Sequence, residues 1–300
     1  MSKTSLPQSS LTLDHAIETH RFVAIDVETT GFVSAEECHR MLEIALVTVE
    51  NGKIVDQWSS LLWPDRLVPY DVTMIHGLSL KELEDAPRFS DVWPEIQKRI
   101  QDSVWVFHNA GFDLHFLVYE MKRLGAELQR PIIDTLDLAR KFINGRSHSL
   151  PNLAQSLRLP VTPTHRSLAD TLATAHLFLK LVETIREKGN LISLKDLQTA
   201  QGRKTSWPKI ELTVPEEPFA SYLKHKAPVR LTLNGGEALR QFEGYLEGFA
   251  VGTQSAFYTL RMADGSRCVA SRQEIDKIET LPNSNGAENY PLRFRQLELF

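Results

Sequence analysis

The sequence predicts an α/β protein in two parts, a mixed-sheet domain followed by a small all-β module. Three observations carry this. Two long apolar runs joined by Asn51-Gly52 give the chain an antiparallel start. Strand-like runs then alternate with helical periodicity out to about residue 189. Beyond a stretch where Pro, Lys and Glu accumulate, short alternating segments separated by Gly-containing turns resume at residue 229.

The elements follow in order. A polar lead-in, residues 1–20, precedes a strand over Phe22 to Glu28 that ends at Thr29-Thr30-Gly31. Met41 to Glu50 and Lys53 to Trp63 flank Asn51-Gly52, a pair that accepts the positive φ angles of a tight hairpin. Ser79 and Glu82 have capping-box spacing and predict a helix start. A second helix near Ser90 carries Val92, Ile96 and Ile100 on one face. Val104 to Phe107 is a buried strand leading into a helix through His108-Asn109-Ala110-Gly111. Pro131 to Asp134 is a short strand entering a helix over Leu136 to Phe142, and Ser149 caps a short helix with Pro151 in its first turn. The last helix of this block carries Leu168, Leu172, Ala175, Leu179 and Val182 and ends near Gly189.

Residues 21–189 therefore read as one domain, 190–228 as a connector, 229–282 as a β module and 283–300 as a flexible tail. In the module Val229, Leu231 and Leu233 alternate, Asn234-Gly235-Gly236 turns the chain, and a strand surrounds Tyr245. Tyr258, Leu260 and Met262 alternate again before Asp264-Gly265 turns into Arg267 to Ala270. This spacing is similar to that of Sm-like small barrels. The module holds six Lys/Arg against seven Asp/Glu between Val229 and Leu281, a poor balance for gripping phosphates.

Composition sets wider bounds. Three hundred residues suggest about two domains. A net charge of -4 advertises no globally basic surface, although charge segregated to one face leaves nucleic acid open as a ligand. Cys38 and Cys268 stand far apart with no CxxC pair, which argues against a disulfide framework or structural zinc. The first ten residues are polar, unlike a signal peptide, and no apolar stretch approaches a membrane span. These features together predict a cytoplasmic protein.

The chemistry-bearing residues come in three groups. Asp26 and Glu28 are two apart on a strand, so both carboxylates project to one face at its carboxyl end. Such hard oxygen ligands suit Mg²⁺ or Mn²⁺ rather than zinc. Asp113 follows His108-Asn109-Ala110-Gly111-Phe112 in the first turn of a helix. His165 lies five residues before Asp170, at the start of the last helix. Each has a plainer role open to it: Asp113 and Asp170 complement helix dipoles equally well, and His165 fits a surface position. All three groups fall at the ends of core elements, which favours a common site.

These motifs, Asp26 to Gly31, His108 to Asp113, Asp134 to Arg140 and His165 to Asp170, resemble those of the DEDDh 3′→5′ exonucleases of the DnaQ-like superfamily. That family includes the proofreading epsilon subunit of bacterial DNA polymerase III. The resemblance runs from about Arg21 to Glu187 and implies a ribonuclease-H-like fold and two-metal phosphodiester hydrolysis with Mg²⁺ or Mn²⁺. It implies that Asp26 bridges both metals, that Glu28 and Asp170 complete the site holding the attacking water, and that Asp113 serves the second metal. His165 would take the nucleophile's proton, and the product would be a nucleoside 5′-monophosphate. It further implies that Thr29, Thr30 and Gly31 present backbone to the terminal nucleotide, that Phe112 packs on its sugar or base, and that Ile75 and His76 line its pocket. Core packing is the simpler account of Ile75. Asn109 contacts substrate or caps its helix. His39, His148 and His176 show no partner pattern and read as structural or exposed.

The final residues, Gln296, Leu297, Glu298, Leu299 and Phe300, resemble the short peptide by which bacterial proteins dock on the DNA polymerase sliding clamp. Leu297, Leu299 and Phe300 would fill apolar pockets while Gln296 makes directional hydrogen bonds; the plainer alternative is a frayed terminal strand whose apolar residues fold back on their own domain. Unlike the epsilon subunit, this chain has the peptide at its end, beyond the β module, so a stable polymerase partner is left open. The sequence therefore predicts a clamp-tethered DNA 3′→5′ exonuclease acting in proofreading or repair. An RNA 3′-end trimmer and a catalytically silent clamp-binding adaptor are the alternatives.

Overall fold

Strand β1, Phe22–Thr29, lies at the centre of a five-stranded mixed sheet. It pairs antiparallel with β2, Met41–Glu50, and parallel with β4, Val104–Phe107. Strand β3, Lys53–Leu61, and strand β5, Ile132–Asp134, flank them in the order β3-β2-β1-β4-β5. These assignments come from a computed structural model that describes residues 13–33, 39–64, 68–79, 81–189, 193–202, 205–210, 228–234, 239–251, 256–271 and 274–281. Its described residues within Met1–Thr29, Met41–Trp63 and Tyr70–Leu212 form one compact unit, and those within Thr30–Arg40, Pro64–Pro69 and Thr213–Phe300 a second.

The hairpin joining β2 and β3 is the expected one, with Asn51 at φ 49° and Gly52 at φ 71°. Alternation along the central strands separates two cores. Val23, Ile25, Trp105 and Phe107 face one cluster, packed against α2 (Phe89–Ile100) and α3 (Ala110–Arg123). Phe22, Ala24, Val104 and Val106 face the other, packed against α4 (Thr135–Phe142), α5 (Leu150–Ser156) and α6 (Ser167–Glu187). Helices thus cover both sides of the sheet, which is why β1, β2 and β4 are nearly continuous apolar runs.

Several expectations need correcting. One bond of the Ser79/Glu82 box forms, the Ser79 amide donating to Glu82 Oε2 at 2.9 Å, but residues 81–85 turn without making a helix. The short helix of this region is instead α1, Tyr70–His76. Ser149 occupies the N-cap of α5 yet makes no side-chain capping bond. On α6 the fully buried residues include Thr171, Ala173, Ala175, Leu177 and Leu181, whereas Leu168, Leu172, Leu179 and Val182 are only partly buried.

The expected connector also holds structure: α7, Leu194–Gln201, begins at Ser193 with a capping box to Asp196. Gln201 Oε1 accepts the Asp134 amide at 3.0 Å, and Ile210 packs into the first core. Residues of the lead-in join the same unit, since Ala16 bridges to Ser193 and Ile17 is buried.

The second unit contains an antiparallel sheet in the order β10-β6-β7-β8-β9. Its strands are β6 (Pro228–Asn234), β7 (Leu239–Val251), β8 (Ala256–Met262), β9 (Arg267–Ser271) and β10 (Ile275–Thr280). Val229, Leu231, Leu246, Tyr258, Leu260, Ala270 and Ile275 form its core. Gly244 is required where β7 meets β8, because a Cβ there would overlap the Arg261 carbonyl. No described helix is long and apolar enough to cross a membrane.

Asp134, at the end of β5, ties the sheet to two helices. Its carboxylate accepts the amides of Asn109 at 3.0 Å, Ala110 at 2.9 Å and Leu136 at 2.9 Å. Asp134→Ala strands these donors and is expected to destabilise the domain by about 3 kcal/mol in urea unfolding. A change within about 0.5 kcal/mol would show this capping to be dispensable.

Candidate active site

Pairing between β1 and β4 stops at Ala24, and β1 runs on alone on that side. Asp26 and Glu28 occupy this overhang at its carboxyl end. They share the parity of Phe22 and Ala24, so both face the layer that contains α6. The first turn of α6 supplies Asp170. One carboxylate oxygen from each of Asp26, Glu28 and Asp170 lies within 4.8 Å of the others, a set that could hold a metal ion.

Asp113 comes from α3, across the sheet. It is 4% exposed, and its Oδ1 accepts the Val27 amide at 3.1 Å. The β1 overhang therefore presents two carboxylates of its own while its backbone holds a third. This explains why Asp113 belongs to the site yet stands apart from the close trio.

Electrostatics bind the four together. Burial, then the neighbouring Asp113, Glu28, Asp170 and Glu43, push the Asp26 carboxyl well above its usual range. Burial and the charges of Asp170, Glu43 and Asp113 raise Glu28 from 4.5 to about 8, with Arg166 opposing. Asp113 rises to about 8, chiefly through burial, against the Val27 amide that favours its ionised form. Asp170 is raised by burial and restrained by the Thr164 amide, which donates to its Oδ1 at 2.9 Å. Carboxylates this crowded hold protons unless cations replace them, so the donor set fits hard divalent ions.

His165 is exposed and sits in the left-handed region at φ 56°. Its neighbours are anchored: Arg166 Nη2 donates to Glu43 Oε1 at 2.8 Å, and the Ser167 amide donates to Glu43 Oε2 at 2.9 Å. Glu43 escaped sequence reasoning. Its signal was a lone acid inside the apolar run Met41-Leu42-Glu43-Ile44-Ala45-Leu46-Val47.

The remaining expected residues are distributed unevenly. Ile75 is 51% exposed, which rules out the core-packing account. His76 is buried and its Nδ1 accepts the Leu78 amide at 3.1 Å. Phe112 is partly buried and packs on Phe116 with ring centroids 5.2 Å apart. Asn109 makes no side-chain cap; it is exposed in the left-handed conformation at φ 76°, and Asp134 does the capping. Capping by its own side chain is therefore overturned as its explanation.

In the second unit, the Thr30 amide donates to the Arg40 carbonyl at 2.9 Å, so this group of Thr30 is already committed. Thr30 Oγ1 also meets His39 Nδ1 at 3.1 Å, and a Cβ on Gly31 would overlap the His39 ring. His39 thus has a structural partner, as does His148, whose Nε2 lies 3.0 Å from the Ile143 carbonyl. Thr29 is buried at the end of β1. Gln296, Leu297, Leu299 and Phe300 lie outside the described residues.

Residues 23–178 match the Exonuclease family, RNase_T. The chain is 35% identical over 181 residues to the PolC-type DNA polymerase III of Thermotoga petrophila, covering 60% of this chain but 13% of that one. Among solved structures it is similar to Escherichia coli exonuclease I in complex with a dA16 oligonucleotide, with TM-score 0.52 at 14% identity over 80% of this chain and 55% of that one. It is likewise similar to the nuclease domain of 3′hExo, a DEDDh family member bound to rAMP, with TM-score 0.51 at 13% identity over 64% of this chain and all of that one. At such identities these two structures speak for the fold alone.

The raised carboxyls have a consequence for metal-free protein. A carboxyl whose folded pKa exceeds its unfolded value favours the folded state at low pH, and this is lost as pH rises through the folded pKa. Glu28→Gln should therefore gain stability over wild type as pH climbs from 4.5 through about 8. Histidines such as His108, lowered by burial to about 4, act in the opposite sense and cancel in this difference. Thermal melts in EDTA measure the gap; added Mg²⁺ should close it, and a pH-independent gap would refute the electrostatic account.

Proposed function

The chain belongs to the Exonuclease family, and from that premise we propose that it is a metal-dependent 3′→5′ DNA exonuclease releasing nucleoside 5′-monophosphates. The observation that carries this reading is the trio of Asp26, Glu28 and Asp170 with ligand oxygens within 4.8 Å, flanked by Asp113 and His165. Asp26, Glu28 and Asp170 would hold one Mg²⁺ or Mn²⁺, and Asp113 with Asp26 a second. Bound there, such ions activate water and stabilise the leaving 3′ oxygen.

The chain's own residues supply the rest. His165, exposed beside Asp170, accepts the water's proton on its imidazole. Ile75 and Phe112 offer apolar surface to the terminal base, with His76, Thr29 and Asn109 as the further groups proposed to meet the nucleotide. Kinship to a DNA polymerase III favours DNA over RNA.

We read the second unit as a small Sm-like barrel; five antiparallel strands around one apolar core support this. The terminal Gln296 to Phe300 peptide would tether the enzyme to a bacterial sliding clamp and raise its concentration at primer ends. Proofreading and repair-associated trimming in the cytoplasm are the tasks that suit such a tether.

Asp26→Ala and Asp170→Ala should each abolish Mg²⁺-dependent release of 5′-mononucleotides without lowering the melting temperature of the metal-free protein. His165→Ala should cost about 10²–10⁴-fold in kcat. The assay uses single-stranded DNA and RNA blocked at either end. Digestion that survives the double aspartate change sinks the site, and digestion of DNA blocked at its 3′ end sinks the polarity. A separate titration of sliding clamp should show binding that vanishes when residues 296–300 are removed; equal binding by both forms would dismiss the tether.

A further inference from the structure

We infer that Glu43 is a positioning residue that holds His165 at the reacting phosphate, an inference that rests on His165 being the base. Glu43 occupies an unfavourable place for a charge. It lies inside β2, directly opposite Glu28 in the β1–β2 register, between Leu42 and Ile44, both fully buried. It is itself 5% exposed, and it adds to the negative field that already opposes ionisation of Asp26, Glu28 and Asp170. A sheet serving stability alone is better filled there by an apolar side chain.

The carboxylate's contacts account for its presence. Arg166 grips it as a fork, Nε to Oε2 at 3.1 Å and Nη2 to Oε1 at 2.8 Å, and the Ser167 amide adds a third bond at 2.9 Å. Glu43 therefore fixes the two residues that follow His165. On the other side Asp170 fixes Thr164 through its amide. His165 is thus suspended between two carboxylate anchors, in a left-handed conformation that a residue with a Cβ rarely adopts unaided.

The register adds a second link. β1 and β2 slip by one residue between Glu28 and Thr29, so Thr29 faces Met41 while Glu28 still faces Glu43. A bulge of this kind re-aims side chains at its edge. Here it falls where one strand presents the metal-binding Glu28 and its neighbour presents the anchor of the base. One pair of adjacent strands therefore links Glu28 to the anchor of the base, and the flexible Arg166 side chain is locked to it.

The test is a double-mutant cycle at saturating Mg²⁺ on single-stranded DNA. Glu43→Gln keeps the shape of the side chain but removes the charge that grips the guanidinium. It should lower kcat about tenfold or more with KM within about twofold. In a His165→Ala background the same change should alter kcat by less than about twofold, because the residue it positions is gone. An equal loss in both backgrounds would overturn the inference and assign Glu43 to the metal site or the fold. Arg166→Gln, at a side chain that is half exposed, provides the same cycle if the Glu43 variant does not fold, and it should give the same non-additivity. Should His165→Ala alone leave kcat unchanged, the base assignment itself fails, and the role of Glu43 falls with it by a distinguishable route.

Discussion

Repulsion among carboxylates at the carboxyl end of β1 is the constraint on which this domain is organised. Asp26, Glu28, Asp113 and Asp170 are brought together from one strand and two helices, with Glu43 behind them. Left to relax, such groups would separate or take up protons, and their raised pKa values record that tendency. The surrounding structure does not relieve the strain; it holds the groups in place and leaves cations to satisfy them.

Each carboxylate is held by a different device. Asp26 and Glu28 are fixed by a strand that is antiparallel to one neighbour and parallel to the other, so it outruns β4 and exposes its end. Asp113 is fixed by the amide that this overhang leaves available on Val27. Asp134 in turn locks the start of α3 by accepting the amides of Asn109 and Ala110. Asp170 is fixed by the Thr164 amide, and Arg166 and Ser167 before it by Glu43. Backbone N–H groups do most of this holding, which keeps the anchors short and rigid and places no competing cation inside the site. Arg166 is the exception, and its guanidinium pairs with Glu43.

The second unit is built on different terms. Its sheet is antiparallel throughout, its core is small, and its charges are nearly balanced. Gly244 marks a close backbone approach between β7 and β8. Among its described residues, Cys268 is partly buried and its thiol is pushed up to about 11 by burial.

The sequence by itself determined the strands of the central sheet, the Asn51-Gly52 hairpin, and the identity of Asp26, Glu28, Asp113, His165 and Asp170 as candidates. These are legible because period-two alternation, turn chemistry and motif spacing are local properties of the chain. It misread Ser79–Glu82 as the start of a helix, since the Ser79 amide bonds Glu82 with no helix following. It missed α7 because eight residues with three buried positions, Leu194, Leu197 and Gln201, carry too little periodicity to stand out. Only the tertiary structure decided that Asp113 reaches the site through the Val27 amide, that Asn109 is capped by a residue 25 positions away, and that Glu43 anchors the segment of His165 across 123 residues. Those are bonds between groups distant in sequence, and no local pattern encodes a partner that only packing brings within 3 Å.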